Sequence, residues 1–114
     1  MQKVKFKFKL VSEGRLEKVR FYPENEMMSI HLDKSEDRKT WSNNEIELLI
    51  ENPFDYTLKV FGVSDTEWTA DLKIILSDGD ELYFLEWKGT TGDNARNLSV
   101  REKPVKDLPK KAQI

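Results

Sequence analysis

The chain has 114 residues, the length of one ordinary domain. It contains no cysteine and a single histidine, which excludes disulfides, thiol nucleophiles, zinc fingers, iron–sulfur clusters and sites built on paired histidines. No apolar stretch approaches the ~20 residues of a membrane-spanning helix and no signal-peptide pattern is present, so a cytoplasmic protein with no membrane partner is expected. Residues 1–20 carry seven Lys or Arg against two Glu, residues 21–60 four against nine, residues 61–90 two against seven and residues 91–114 six against three, for a formal net charge of −2. Basic ends flank an acidic middle. Such a distribution either neutralises itself in the fold or presents a bipolar surface to a charged partner.

Alternation with a period of two dominates and marks half-buried strands. Val4, Phe6, Phe8 and Leu10 alternate with Lys3, Lys5, Lys7 and Lys9. The turn Ser12-Glu13-Gly14-Arg15 leads into a second strand over residues 16–22, read as the other arm of a hairpin, and Pro23 ends it. Met28, Ile30 and Leu32 alternate as a third strand. The polar stretch 33–44, which holds Trp41, reads as a long loop. Residues 45–51 fit two templates. Ser42 and Glu45 form a capping-box pattern ahead of Ile46, Leu49 and Ile50 on one helical face, and Ile46, Leu48 and Ile50 alternate as a strand. Pro53 limits a helix to about two turns, and the all-β surroundings favour the strand. Residues 51–55 read as a corner where the chain changes sheets. Strands over 56–62, 68–76, 82–88 and 97–102 follow. The domain is expected to span 1–103. Residues 104–114, with two prolines and Lys106, Lys110 and Lys111, form a basic, flexible tail.

Turn chemistry suggests a register. Asp78-Gly79 is the preferred centre of a two-residue hairpin, and counting outwards pairs Ile74 with Tyr83, Leu72 with Leu85 and Ala70 with Trp87. A three-residue turn at Ser64-Asp65-Thr66 would pair Val60 with Ala70 and complete a three-stranded meander. The fold expected is all-β, a two-sheet antiparallel β-sandwich of seven or eight strands with immunoglobulin-like topology; a partly open β-barrel is the alternative.

Three groups of residues are candidate binding sites. In the first hairpin Phe8 faces Val19 and Phe6 faces Phe21, which sets Lys9 opposite Lys18 and Lys7 opposite Arg20, with Lys3 and Lys5 on the same face. Like charges directly opposite are destabilising. The six cations therefore point to edge protection, to a neighbouring acidic strand bearing Glu45, Glu47 or Glu51, or to an anionic partner. Trp41 in its loop is either an anchor for a ligand such as a sugar or a cap on the end of the sandwich. Ile75 opposite Leu82, with Phe84 beside them, forms an apolar cluster on an otherwise polar face. It is to be covered by Val105, Leu108 or Ile114 of the tail, or by a second copy of the chain.

Catalytic and metal signatures are absent from the sequence. Asp71 falls opposite Glu86 like an acid/base dyad, but Lys59, Lys73 and Lys88 balance it. The acidic groups Asp33, Glu36, Asp37 and Asp78, Asp80, Glu81 match no calcium loop. His31 points to the polar face, and no nucleophile elbow, phosphate loop or zinc-protease motif occurs. A non-catalytic protein-interaction module without cofactor or metal is expected, its partner another protein or a second copy of itself. The alternatives are a nucleic-acid-binding barrel using the basic hairpin, and a carbohydrate-binding module using Trp41.

Overall fold

The alternating segments form strands that each bury one face. A computed structural model describes residues 2–23, 28–51, 53–92, 98–102 and 107–109. The strands among them are β1 (Gln2–Ser12), β2 (Leu16–Pro23), β3 (Asp33–Lys34), β4 (Thr40–Ile50), β5 (Tyr56–Gly62), β6 (Glu67–Ile75), β7 (Glu81–Thr90) and β8 (Leu98–Glu102). They build two antiparallel sheets, in the orders β3-β4-β1-β6-β7 and β2-β5-β8, which pack as a β-sandwich. Residues 45–51 are strand as far as Ile50, and the corner at 51–55 does carry the chain from the first sheet to the second.

The core is aromatic. Phe6, Phe8, Phe84 and Trp87 of the first sheet meet Phe21 and Tyr56 of the second, with Phe54 of the corner wedged between them. Phe8 stacks on Phe21 at 5.2 Å between ring centres, and Tyr56 meets Trp87 edge-on at 5.1 Å. The Trp87 indole N–H donates to the Tyr56 hydroxyl, so the polar atoms of both rings are satisfied inside the core.

The first expected hairpin does not form. β1 pairs with β4 and β6, whereas β2 pairs with β5 in the other sheet. Phe8 and Phe21 therefore face each other across the sandwich instead of lying side by side. The alternation of both segments is honoured either way. The facing arrangement also separates Lys7 and Lys9 from Lys18 and Arg20, whose repulsion a hairpin would have imposed. Gly14 turns the chain between the sheets with φ of 90°, and a side chain there would press to 2.9 Å from the Asp37 carbonyl oxygen.

The expected meander also divides. β5 lies in the second sheet, and residues 63–66 cross between sheets. That crossing is anchored by buried Thr66 and Thr91: the Thr66 amide donates to Thr91 Oγ1 at 2.9 Å, and the Thr66 hydroxyl donates to the Val63 carbonyl at 2.7 Å.

The β6–β7 register holds at Leu72–Leu85, Asp71–Glu86 and Ala70–Trp87. Nearer the turn it shifts. Leu76 and Asp80 close a three-residue loop, with Gly79 left-handed at φ 90°. Lys73 then opposes Tyr83, Ile74 opposes Leu82 and Ile75 opposes Glu81. The one-residue offset is absorbed by a bulge at Phe84, which turns that ring into the core at 2% exposure and leaves Tyr83 62% exposed. The expected outer cluster of Ile75, Leu82 and Phe84 therefore does not exist.

Two further expectations are corrected. Residues 28–32 are not a strand; the Ile30 amide donates to the Phe21 carbonyl at 2.8 Å, and Ile30 and Leu32 pack on the core's margin. The stretch 33–44 is not one long loop but a short hairpin of β3 with the start of β4, and Trp41 lies in β4 opposite Leu10, buried at 7% exposure beneath the Lys34 ammonium. In the C-terminal segment Leu108 is buried in the core; Val105, Lys106, Lys110, Lys111 and Ile114 lie outside the described residues.

The bulge has a direct test. Phe84→Ala should cost about 3–5 kcal/mol in urea unfolding, as a core aromatic does, while Tyr83→Ala should cost less than about 1 kcal/mol. The unshifted register requires the opposite ranking.

Candidate functional site

Each sheet has an outer face, and the two treat their charges differently. On the first sheet β1 is central, so its outward lysines lie between the outward residues of β4 and β6. Lys3 is 2.9 Å from Glu47, and Lys5 is the register partner of the same Glu47. Lys7 and Lys73 are directly opposed, and both reach Glu81 of β7, Lys73 at 3.8 Å. Lys9 lies opposite Asp71. The acidic neighbour weighed from the sequence is therefore real: Glu47 on β4 fills that role, with Asp71 and Glu81 completing it from the other side.

Carboxylate titration follows from these contacts. The Lys3 ammonium holds Glu47 below the ordinary carboxylate range, and Lys7 does the same for Glu81. Partial burial pushes Asp71 up, against the pull of Lys73 and Lys9, and Glu86 across the ladder adds to the rise. Hydrogen bonding to Tyr83 raises Lys73, whose ammonium stands 4.7 Å from the Tyr83 ring centre. A depression of about 550 Å³ lies over Thr69, Asp71, Tyr83, Glu86 and Lys88. Its carboxylates and ammonium group lie together on an open, mixed-charge face. No group of three or more potential metal-ligating side chains occurs among the described residues. Asp37 instead accepts from Ser35 and the Lys39 amide, Asp78 accepts from the Asp80 amide, and His31 meets Asp33 at 3.0 Å in full solvent. Asp37 and Asp78 shape turns.

The second sheet differs. On its outer face exposed Lys18 and Arg20 of β2 lie beside Lys59 of β5, with Arg20 and Lys59 direct cross-strand partners. Among the residues whose side chains are described, which excludes those of β8, no carboxylate lies within ion-pair distance of these three cations. Tyr22 and Phe61 share the face, and the Lys59 ammonium lies 5.6 Å from the Tyr22 ring centre. On β8 the register sets Val100 opposite Lys59 and Glu102 opposite Thr57.

The residues singled out from the sequence are thus dispersed. Lys3, Lys5, Lys7 and Lys9 lie on one outer face and Lys18 and Arg20 on the other; Trp41 and Phe84 are buried, while Ile75 and Leu82 are half-buried. Lys59, Tyr22 and Phe61, which complete the second face, were not recognised, because they join Lys18 and Arg20 only through the non-local β2–β5 pairing. Pro23 was the available signal: a proline closing a strand marks a sheet edge.

No family model, no curated protein and no solved structure matches the chain. No helix among the described residues is long and apolar enough to cross a membrane.

The ion pairs of the first sheet predict a pH dependence. A carboxyl group held below its ordinary range stabilises the fold above that range, and the contribution is lost as pH falls through the depressed value. Glu81→Gln should therefore lower the urea midpoint at neutral pH, and the gap to the parent should close by about pH 2. Asp71 carries the opposite sign, so Asp71→Asn should not reproduce this loss. A gap for Glu81→Gln that persists unchanged in acid would assign its effect to packing.

Proposed function

We propose that the protein is a non-catalytic, cytoplasmic protein-interaction module that docks an acidic protein surface on the outer face of the β2-β5-β8 sheet. The observation that supports this reading is the contrast between the two faces. The lysines of β1 each have a carboxylate nearby, whereas Arg20 of β2 and Lys59 of β5 oppose each other with Lys18 alongside, and no carboxylate among the described side chains of these two strands pairs with them. Directly opposed like charges destabilise a sheet by a few tenths of a kcal/mol or more, and an anionic partner converts that cost into attraction and steers the encounter. The β1–β4 and β2–β5 pairs correspond to the B–E and C–F neighbours of an immunoglobulin-like sandwich, whereas β6 and β7 lie beside β1 where that topology has strand A.

One second reading has an observation in its favour. Tyr22 and Phe61 lie on the same face as the three cations, the combination that a single-stranded nucleic acid requires. The carbohydrate reading loses its residue with the burial of Trp41, and self-association through Ile75, Leu82 and Phe84 loses its patch.

An acidic peptide of alternating glutamate and valine should bind at ~20 mM salt, where screening is weak, and be released as salt is raised. Lys18→Glu combined with Arg20→Glu should abolish that binding without changing the fold, while Lys3→Gln combined with Lys9→Gln should leave it intact. No binding, or binding indifferent to Lys18 and Arg20, would overturn the proposal. Stronger retention of a single-stranded oligonucleotide than of the peptide would replace it with the nucleic-acid reading.

A further inference from the structure

The docking face has a free strand edge along one side, and its backbone geometry can be worked out. β2 pairs with β5 on one side only. The Ile30 amide bonds the Phe21 carbonyl at 2.8 Å from the other side, so at Phe21 the backbone polar groups point away from β5. Orientation alternates along an antiparallel ladder. Val19, two residues earlier, therefore aims both its N–H and its C=O at the open edge. Pro23, two residues later, is at the same parity, and its missing N–H removes no bond to β5. Ile30 occupies the edge at Phe21, which leaves the stretch centred on Val19 open among the described residues.

We propose that this edge takes up an extended segment of the partner as an added β-strand, with an acidic–apolar–acidic sequence. This proposal rests on the reading of the β2-β5-β8 face as the docking surface. The residue opposite Val19 would exchange two backbone hydrogen bonds with it, as any narrow antiparallel pair does. Its side chain would project on the side of Val19, which is buried, and so is best apolar. Its two neighbours would fall opposite Lys18 and Arg20, whose side chains are exposed on the outer face. Residues two apart stand about 6.8 Å apart along a strand, so carboxylates flanking one apolar residue match both cations at once. Glu17, at the bulge beside Leu16, is the one carboxylate of β2. The same charges act against a second copy of the chain: β2 laid against itself would set Lys18 and Arg20 against one another, so the edge discriminates by repulsion as well as attraction.

The experiment uses the intact protein and three synthetic peptides. The parent alternates glutamate with valine, the second is N-methylated at every valine and the third at every glutamate. The valine-methylated peptide should bind at least about tenfold more weakly than the parent, since its ladder donors are gone. The glutamate-methylated peptide should bind like the parent. Amide exchange at Val19 should slow on binding the parent peptide. If both methylated peptides bind like the parent and Val19 exchange is unchanged, strand addition is overturned, and the docking face stands provided that Lys18→Glu with Arg20→Glu still abolishes binding. If the parent peptide itself does not bind, the docking face falls and strand addition with it.

Discussion

Phe8 and Phe21 stack across the gap between the sheets, and the placement of nearly every other element follows from that contact. Both rings belong to segments that alternate and are separated by one short turn, so the two segments could pair edge to edge or face each other. Facing each other buries both apolar faces against one another and joins them to Trp87, Tyr56 and Phe54. Each such ring buries roughly 150–250 Å², far more than a two-stranded ribbon with one wet face could offer. Once β1 and β2 belong to different sheets, β1 needs ladder partners on both sides and finds them in β4 and β6. β2 is left with β5 on one side only.

The electrostatics inherit this division. As a central strand, β1 has its lysines flanked by Glu47 on one side and by Asp71 and Glu81 on the other, and the first outer face becomes an internally compensated network. As an edge strand, β2 brings Lys18 and Arg20 next to a neighbour that contributes a third cation, Lys59. The functional proposal therefore follows from strand placement. The same two lysine-bearing segments, paired as a hairpin, would have put all six cations on one ribbon.

Local patterning was most reliable where one residue type could satisfy only one environment. The inward parity of Val4, Phe6, Phe8 and Leu10, of Tyr56, Leu58 and Val60, and of Ala70, Leu72 and Ile74 was legible, and all of these side chains are buried. So was the sheet change at 51–55, where Pro53 cannot continue a ladder. Parity failed at 82–85, where four apolar residues in succession carry no alternation to read. There the closure of the loop at Leu76 and Asp80, and the bulge that restores the register, decided that Phe84 turns inward and Tyr83 outward. Trp41 was misplaced for a related reason. Its polar neighbours Ser42, Asn43 and Asn44 mimic a loop, although Asn43 uses its side chain to bond the Glu45 amide and the His31 carbonyl beside a strand bulge.

Composition and periodicity by themselves determined an all-β chain, two apolar sheet faces, the want of thiol and paired-histidine chemistry, and an excess of lysine that had to be compensated or used. These depend on residue type and on spacings of a few positions, which the chain carries locally. Which strands became neighbours, which lysines met carboxylates and which did not, and where a free edge remained were decided by the tertiary structure. Those outcomes depend on contacts between residues tens of positions apart, selected by the burial of the aromatic core and not by any pattern within a single strand.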